Sequence, residues 1–587
     1  MIIYNERQEK KMNYQIAYDN WLKNTRMTID GVHELEAIKD DEKEIEYRFG
    51  AELQFGTAGM RGLIGMGTNM MNVYTVKRAT QGLSEYIKAL GAAAMERGVA
   101  ISFDTRRMSE EFACAAAGVL LKNNIKVYIY AEGRPVPMLS YAVRKLNCIA
   151  GIMITASHNP KEYNGYKVYG EDGAQMSPEA TAKVVEYISQ ITDYFSVEAL
   201  GVESAKKAKK KGATILKSSF EKKYYAELLK LCIAKDAIKA EGKKIKLVYT
   251  PIHGTGYIPV TTILKKLGIK ATVVEEQCKP DTEFSTVKLP NPEFKETLSI
   301  GIDYADKIRA DVVFGTDPDC DRLGVAIRND EGEFVSLSGN QVGVLMMNYV
   351  LSRLKQNGTL REDSFVVKSF VSTGLAEAVA SSFGVKLYDV PVGFKFIGEK
   401  IKISEQTGKG NFEFGFEESC GYLRGTHARD KDAVVASMLF AELVCYYKHI
   451  GQSIFEVLNG IYAKFGYCHE RTDSIAFSGL NAMADMMKAV DGVSKQNIER
   501  IDVYNIVAVR NYETGIRRAV DGSEEELEFK NLNCLYFELE NGGFICLRPS
   551  GTEPKLKIYY SVYATDKARA EEAIENLSAA FSKILKG

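Results

Sequence analysis

TASHNP, residues 155–160, follows the apolar run CIAGIMI and presents Ser157, flanked by His158 and Asn159, in a tight polar turn. A serine there is either a turn residue before Asn-Pro or a nucleophile or phosphate carrier exposed beside a ligand crevice. TDPDCDR gathers the carboxylates of Asp317, Asp319 and Asp321 behind another apolar strand. Three alternating acids repel one another unless a hard cation sits among them, and an all-oxygen set suits Mg²⁺. The run is not an EF-hand, because Arg322 and Arg328 occupy its glycine and bidentate glutamate positions. GFEES places Glu417 and Ser419 where a carboxylate and a hydroxyl can pair with adjacent sugar hydroxyls. HARDKDA adds His427, Arg429 and Lys431, as surface charges or as members of the site. In LRPSGTEPK, Arg548 offers a planar fork, Ser550 and Thr552 offer hydroxyls, and the Ser-Gly-Thr turn around Gly551 can point amides at an anion. FGTAGMRGLIGMG has the glycines of a hinge or close-approach loop and one cation, Arg61. No Walker-type phosphate loop occurs, so a nucleoside triphosphate is not indicated.

These turns need elements to hold them, and the sequence supplies a repeated plan. VAISFDTRRMS, IKLVYTPIHGTG and FVVKSFVSTG each read as a strand, a polar turn and a helix. Each is answered by a second strand (NIKVYIY, GIKATVV, GVKLYDV) and a third (AGIMITASHNP, DVVFGTDPDCDR, NFEFGFEESCG). Strands alternating with helices predict parallel sheets that bind ligands at the carboxyl ends of their strands. The lysine-rich ESAKKAKKKGA (203–213) reads as a solvated linker rather than a binding patch. After about residue 470 the plan stops, and NCLYFELENGGFICLRPSGTEPKLKIYYSVYA predicts a smaller α+β domain closed by a helix from about 566.

Composition narrows the partners. With 587 residues and 45% apolar content, the chain holds several domains with ordinary cores, and 76 basic against 77 acidic residues give no electrostatic case for nucleic acid or an anionic membrane. A small molecule is the default partner. The ten cysteines form no C-x-x-C pair and read as buried thiols in a reducing compartment. The N-terminus becomes charged before a signal-peptide core can form, and no apolar run reaches membrane-spanning length, so the expected location is the cytoplasm.

Taken together and in order, GTAGMR, TASHNP, DPDCDR, GFEES and RPSGTEP resemble the α-D-phosphohexomutases, closest to their phosphoglucomutase and phosphopentomutase branch, over residues 45 to 587. The resemblance implies an α/β fold: three similar α/β domains with mixed or parallel sheets and a smaller C-terminal α+β domain around a central active-site cleft. The expected divisions are a helical extension (1–44), a phosphoserine domain (45–210), a metal domain (211–328), a sugar domain (329–465) and a phosphate domain (466–587).

By the same resemblance, Ser157 is the phosphoserine, and Asp317, Asp319 and Asp321 hold Mg²⁺ with an oxygen of its phosphate. Lys431 and His158 serve as general acid and base, and Lys167, Arg61 and Arg322 stabilise charge. Glu417 and Ser419 read hydroxyls, and VPVGFKFIG is similar to the family's specificity loop, with Gly393 at the sugar and Lys395 touching the distal phosphate. Arg548, Ser550, Gly551, Thr552 and Lys555 hold the phosphate that is not reacting. The implied reaction interconverts glucose 1-phosphate and glucose 6-phosphate through glucose 1,6-bisphosphate, which also activates the enzyme. Ribose or deoxyribose 1-phosphate as substrate, and synthesis of glucose 1,6-bisphosphate, are the alternatives within the family. A Mg²⁺-dependent phosphatase or a non-catalytic sugar-phosphate sensor are the rivals outside it. Monomer and homodimer both stay open.

Overall fold

The computed structural model describes residues 13–56, 59–478, 482–550 and 555–586. Packing groups the chain into two units: one of residues 1–339, 397–414 and 419–451, the other of residues 340–396, 415–418 and 452–587.

The first unit contains two sheets built on the predicted plan. In one, the strands Val99–Phe103, Val127–Tyr130 and Ala150–Ile154 run parallel, with the first in the middle. In the other, Leu247–Thr250 lies in the middle, between Ala271–Val273 and Val312–Thr316. In each sheet the third strand is followed by an antiparallel partner, Tyr163–Gly170 or Leu323–Arg328. The central strands VAISF, AGIMI and VVFGT are buried at every position, as strands covered by helices on both faces must be. Their carboxyl ends deliver the polar turns.

Helices close the first sheet, and their starts are specified locally. Val73–Ala89 opens with Asn72 accepting from the amides of Tyr74 and Thr75, while Thr75 returns a bond to the Asn72 amide. Ser109–Lys122 buries its alanine-rich face in the core formed by Val99, Ile101, Val127, Ile129 and Ile152. The N-terminal helices, residues 13–22, Ile29–Ala37 and Glu42–Phe49, have a separate aromatic core in which Trp21 meets Phe49, Tyr74 and Phe195.

The lysine-rich stretch is more than the solvated linker expected. Lys206, Lys207 and Lys209 to Lys211 face solvent, but Ala205 and Ala208 are buried in the first core. Ala213–Leu216 then adds a strand to the edge of the first sheet, so that sheet continues past residue 210. Alanine spacing, invisible among the charges, ties the segment down.

In the second unit, Ser364–Ser369 and Lys386–Val390 pair in parallel, repeating the first two strands of the plan. An antiparallel sheet follows in the order Tyr467–Ala476, Lys555–Ala564, Phe544–Pro549, Leu535–Leu539, Tyr504–Asn511, Ile516–Ala519, Glu524–Glu526, with the helix Lys567–Lys586 packed on it. Phe370 and Val371 share a core with Tyr512, Tyr536, Phe544 and Tyr559. No single helix among the described residues is long and apolar enough to cross a membrane.

Candidate active site

Ser157 adopts φ +52°, in the left-handed region that a non-glycine residue enters only when its surroundings hold it there. The holding groups come from the turn after the first strand. Asp104 accepts from Thr155 Oγ1 at 2.7 Å, and Thr155 Oγ1 in turn accepts the Ser157 amide at 2.8 Å. Arg106, paired with Asp104 at 3.2 Å and with no exposed side-chain surface, donates to the carbonyls of Ser157, Asn159 (2.6 Å) and Pro160 (2.8 Å). Phe284 lies against its guanidinium at 5.1 Å. A buried cation thus bonds three carbonyls of the serine turn. Neither Asp104 nor Arg106 was singled out from sequence, although DTRR occupies the strand-end position equivalent to the other polar turns.

Ser157 is only 3% exposed, and its hydroxyl donates to Asp317 Oδ2 at 2.9 Å. His158 Nδ1 lies 3.2 Å from the same Oγ. Burial, with Arg322 and Arg61 nearby, pushes the His158 imidazolium well below its usual range, so the ring is neutral near pH 7. Arg61, on the strand Gly59–Leu63, donates to Asn159 Oδ1 at 2.9 Å.

The acidic turn is laid directly on the turn after Leu247–Thr250. The amide and hydroxyl of Thr255 both donate to the Pro318 carbonyl at 2.9 Å, and a Cβ on Gly254 would come within 2.6 Å of Pro318 Cα. Asp317, Asp319 and Asp321 are buried, and a carboxylate oxygen from each lies within 4.8 Å of the others. Asp317 Oδ1 accepts the amides of Asp321 and Arg322 at 3.1 and 3.0 Å.

Burial, reinforced by Asp319 and Asp321, drives the Asp317 carboxyl well above its usual range, and burial raises Asp321 despite Lys431. Burial also opposes ionisation of Asp319, but Lys167, 2.9 Å away, helps hold that carboxyl low. Oδ1 of Asp319 and of Asp321 is buried without a hydrogen-bond partner. An all-oxygen set, mutual repulsion and orphaned carboxylate oxygens together fit a hard divalent cation. Burial works against the Arg322 cation, and Glu293 and Asp321 outweigh it, keeping the guanidinium charged.

Lys431 reaches the same cluster, with Nζ 3.2 Å from Asp321 Oδ2 and 3.2 Å from Asp430 Oδ1. Its path needs a glycine: a Cβ on Gly421 would fall 2.1 Å from Lys431 Cδ. The backbone of this segment is fixed by Leu323 N donating to Cys420 O at 3.0 Å. Asp430 accepts from Tyr169 at 2.9 Å, and Asp432 caps the helix Ala433–His449 while accepting from Tyr224 at 2.7 Å. His427 pairs with Asp432 at 2.7 Å and Arg429 with Glu405, so neither side chain is paired with an aspartate of the acidic turn. Ser419 stands at the head of the segment.

The second unit holds the remaining candidates. Glu417 is 4% exposed and accepts the Gly393 amide at 2.6 Å, where Gly393 has φ +124°. Glu418 accepts from Ser369 at 2.9 Å. Lys395 Nζ sits 5.1 Å from the centre of the Phe396 ring. Arg548, near the end of Phe544–Pro549, is a neighbour of Tyr559, whose phenol is raised by burial and then by Glu418, with the Arg548 charge working against both. Ser550 N donates to Lys555 O at 2.8 Å, pinning the two ends of the expected phosphate loop. Gly551 and Thr552 lie outside the described residues. Tyr559 and Glu418 were not anticipated.

Three family descriptions match the chain in order: phosphoglucomutase/phosphomannomutase α/β/α domain I over residues 52–195, domain II over 222–332 and domain III over 338–465. A phosphoglucomutase of Staphylococcus epidermidis is 36% identical over 516 residues, 87% of this chain and 90% of the relative. One from Staphylococcus aureus is 35% identical over 530 residues, 90% and 93% of the two chains. Among solved structures, a putative phosphomannomutase from Thermus thermophilus superposes with a TM-score of 0.66 at 22% identity, covering 92% of this chain and all of the other. The exocytosis-sensitive phosphoprotein parafusin of Paramecium gives 0.64 at 18% identity, over 91% and 95%. These two likenesses concern the fold.

Proposed function

The chain belongs to the phosphoglucomutase/phosphomannomutase family, and on that premise we propose that it interconverts glucose 1-phosphate and glucose 6-phosphate through phosphorylated Ser157 and glucose 1,6-bisphosphate. The observation that carries this reading is the 2.9 Å bond from Ser157 Oγ to Asp317 Oδ2, which joins a phosphoryl carrier to an acidic cluster. The staphylococcal relatives, named phosphoglucomutases, support glucose over pentose phosphates.

Asp317, Asp319 and Asp321 would hold Mg²⁺ with a phosphate oxygen on Ser157; bound there, the ion would neutralise the transferring group and polarise its phosphorus. The chain's own residues do the rest. A sugar hydroxyl attacks phosphorus, the P–Oγ bond of Ser157 breaks as the new P–O bond forms, and the hydroxyl proton passes to a base. His158, neutral because desolvation and neighbouring cations disfavour its charged form, is suited to take it, and the Lys431 ammonium to return one. Lys167, Arg322 and Arg61 oppose the charge that builds up. Glu417, Ser419, Gly393 and Lys395 read the sugar in both orientations. Arg548, Ser550, Gly551, Thr552 and Lys555 hold the second phosphate. In the return half, the phosphoryl group at the sugar's other end moves to Ser157.

In this reading the enzyme works in the cytoplasm, and the four-domain division with its N-terminal extension is kept, with the first domain running on through Leu216. The test is Mg²⁺-dependent conversion of glucose 1-phosphate with trace glucose 1,6-bisphosphate, with ribose 1-phosphate alongside. Conversion of the glucose ester that disappears in Ser157→Ala is the expected result. Release of inorganic phosphate in its place, or no conversion of either sugar, would overturn the proposal.

A further inference from the structure

The strands Tyr504–Asn511 and Leu535–Leu539 are antiparallel neighbours, with Asn511 opposite Leu535. Two to five residues suffice to join such a pair. Here residues 512–534 intervene, and they form an excursion rather than a turn. Its base is closed by Tyr512 N bonding to Cys534 O at 3.0 Å and Leu532 N bonding to Tyr512 O at 3.1 Å. Its outward limb and return build a small hairpin, Ile516–Ala519 against Glu524–Glu526.

The return limb carries the informative residues. Leu527, Phe529 and Leu532 pack into the same cluster as Val392, Phe370 and Tyr512. Phe529 meets Phe396 edge to face, ring centres 5.8 Å apart at 75°. Phe396 in turn lies under the Lys395 ammonium, and its amide donates to Gly393 O at 3.0 Å. Gly393 is the residue whose amide binds Glu417. A continuous series of contacts therefore runs from Phe529 through Phe396 to the lysine and amide of the sugar-reading loop.

We propose that the excursion, acting through Phe529, is a specificity determinant: it fixes Phe396 so that the Lys395 ammonium and the Gly393–Glu417 pair stay set to the spacing of phosphate and hydroxyls on a hexose phosphate. Phe529 is a positioning residue, since it acts on the ligand only through its neighbours. Aromatic edge-to-face pairs hold orientation as well as area, so the ring rather than bulk alone is required. A shorter, five-carbon sugar phosphate places its distal phosphate differently and gains less from that fixed cation. This inference rests on the mutase reading above.

The experiment is steady-state kinetics of the full chain on glucose 1-phosphate and ribose 1-phosphate for wild type, Phe529→Ala, Phe529→Tyr and Lys395→Ala, with Val520→Ser at the exposed end of the same hairpin as control. The expected result for Phe529→Ala is a KM for glucose 1-phosphate raised about tenfold, kcat within about threefold of wild type, and a smaller change for ribose 1-phosphate. Phe529→Tyr should restore most of the KM. In a Lys395→Ala background, Phe529→Ala should add little, because the two act in series. An unchanged KM in Phe529→Ala, a fall in kcat alone, or fully additive effects with Lys395→Ala would overturn the proposal. A wild-type enzyme that turns over neither sugar would refute the mutase reading itself, and the two failures are thereby told apart.

Discussion

At the scale of single residues, the site depends on groups that do not themselves react. Arg106 bonds three carbonyls of the serine turn and keeps Ser157 in its left-handed conformation. A lysine there would retain the charge but lose the planar fork. Because misplacement by about 1 Å can cost about a hundredfold in rate, Arg106→Lys is expected to lower kcat by about that factor with KM little changed, measured alongside a thermal midpoint to show that the fold is kept. The aspartates give a second expectation. The proposed cation would relieve their repulsion only in the folded chain, so Mg²⁺ is expected to raise the thermal midpoint, with a stabilisation of about 2.7 kcal/mol at a hundred times its Kd. Asp319→Asn should abolish most of that rise in a thermal-shift titration. Ser157 and the three aspartates could be singled out from sequence because their types have few other reasons to occur together, and the structure brings them into contact. Arg106 and Tyr559 could not, because an arginine bonding carbonyls or a buried tyrosine beside charged neighbours leaves no periodic or compositional signal.

At the scale of elements, the repeated strand and turn plan was readable, since alternation of apolar runs and helix-like stretches reports a doubly covered parallel sheet directly. The middle position of the first strand in both sheets of the first unit follows that plan. What escaped was tethering by small residues and by insertions: the buried alanines of the lysine-rich stretch, and the excursion at residues 512–534. Both are decided by long-range packing, which overrides local composition. The short strand Gly421–Leu423 shows how finely an element can matter. Gly421→Ala would push a methyl group into the Lys431 side chain and displace its ammonium from Asp321. The expected outcome is a fall in kcat of about tenfold or more with a thermal midpoint near wild type, checked by single-turnover phosphoryl transfer from Ser157.

At the scale of the whole chain, the second unit's C-terminal sheet supplies half of a shared core: Tyr512, Tyr536, Phe544 and Tyr559 cover Phe370 and Val371. A chain ending at residue 466 would expose that apolar surface, so it should aggregate on expression where the full chain stays monodisperse by light scattering. The order of residues within the units carries a further consequence, for biosynthesis. The chain leaves the first unit at Gly339, returns at Ile397, leaves at Phe414, returns at Ser419 and departs finally at Gly451. The acidic turn at 317–321 is therefore synthesised more than a hundred residues before Lys431 and the helix that Asp432 caps. At about 5–20 residues per second, the nascent aspartates wait several seconds for their lysine. During that interval the first unit is an unfinished fold with clustered acids, and a ribosome-bound chain halted before residue 451 should remain open to protease where the released protein is resistant.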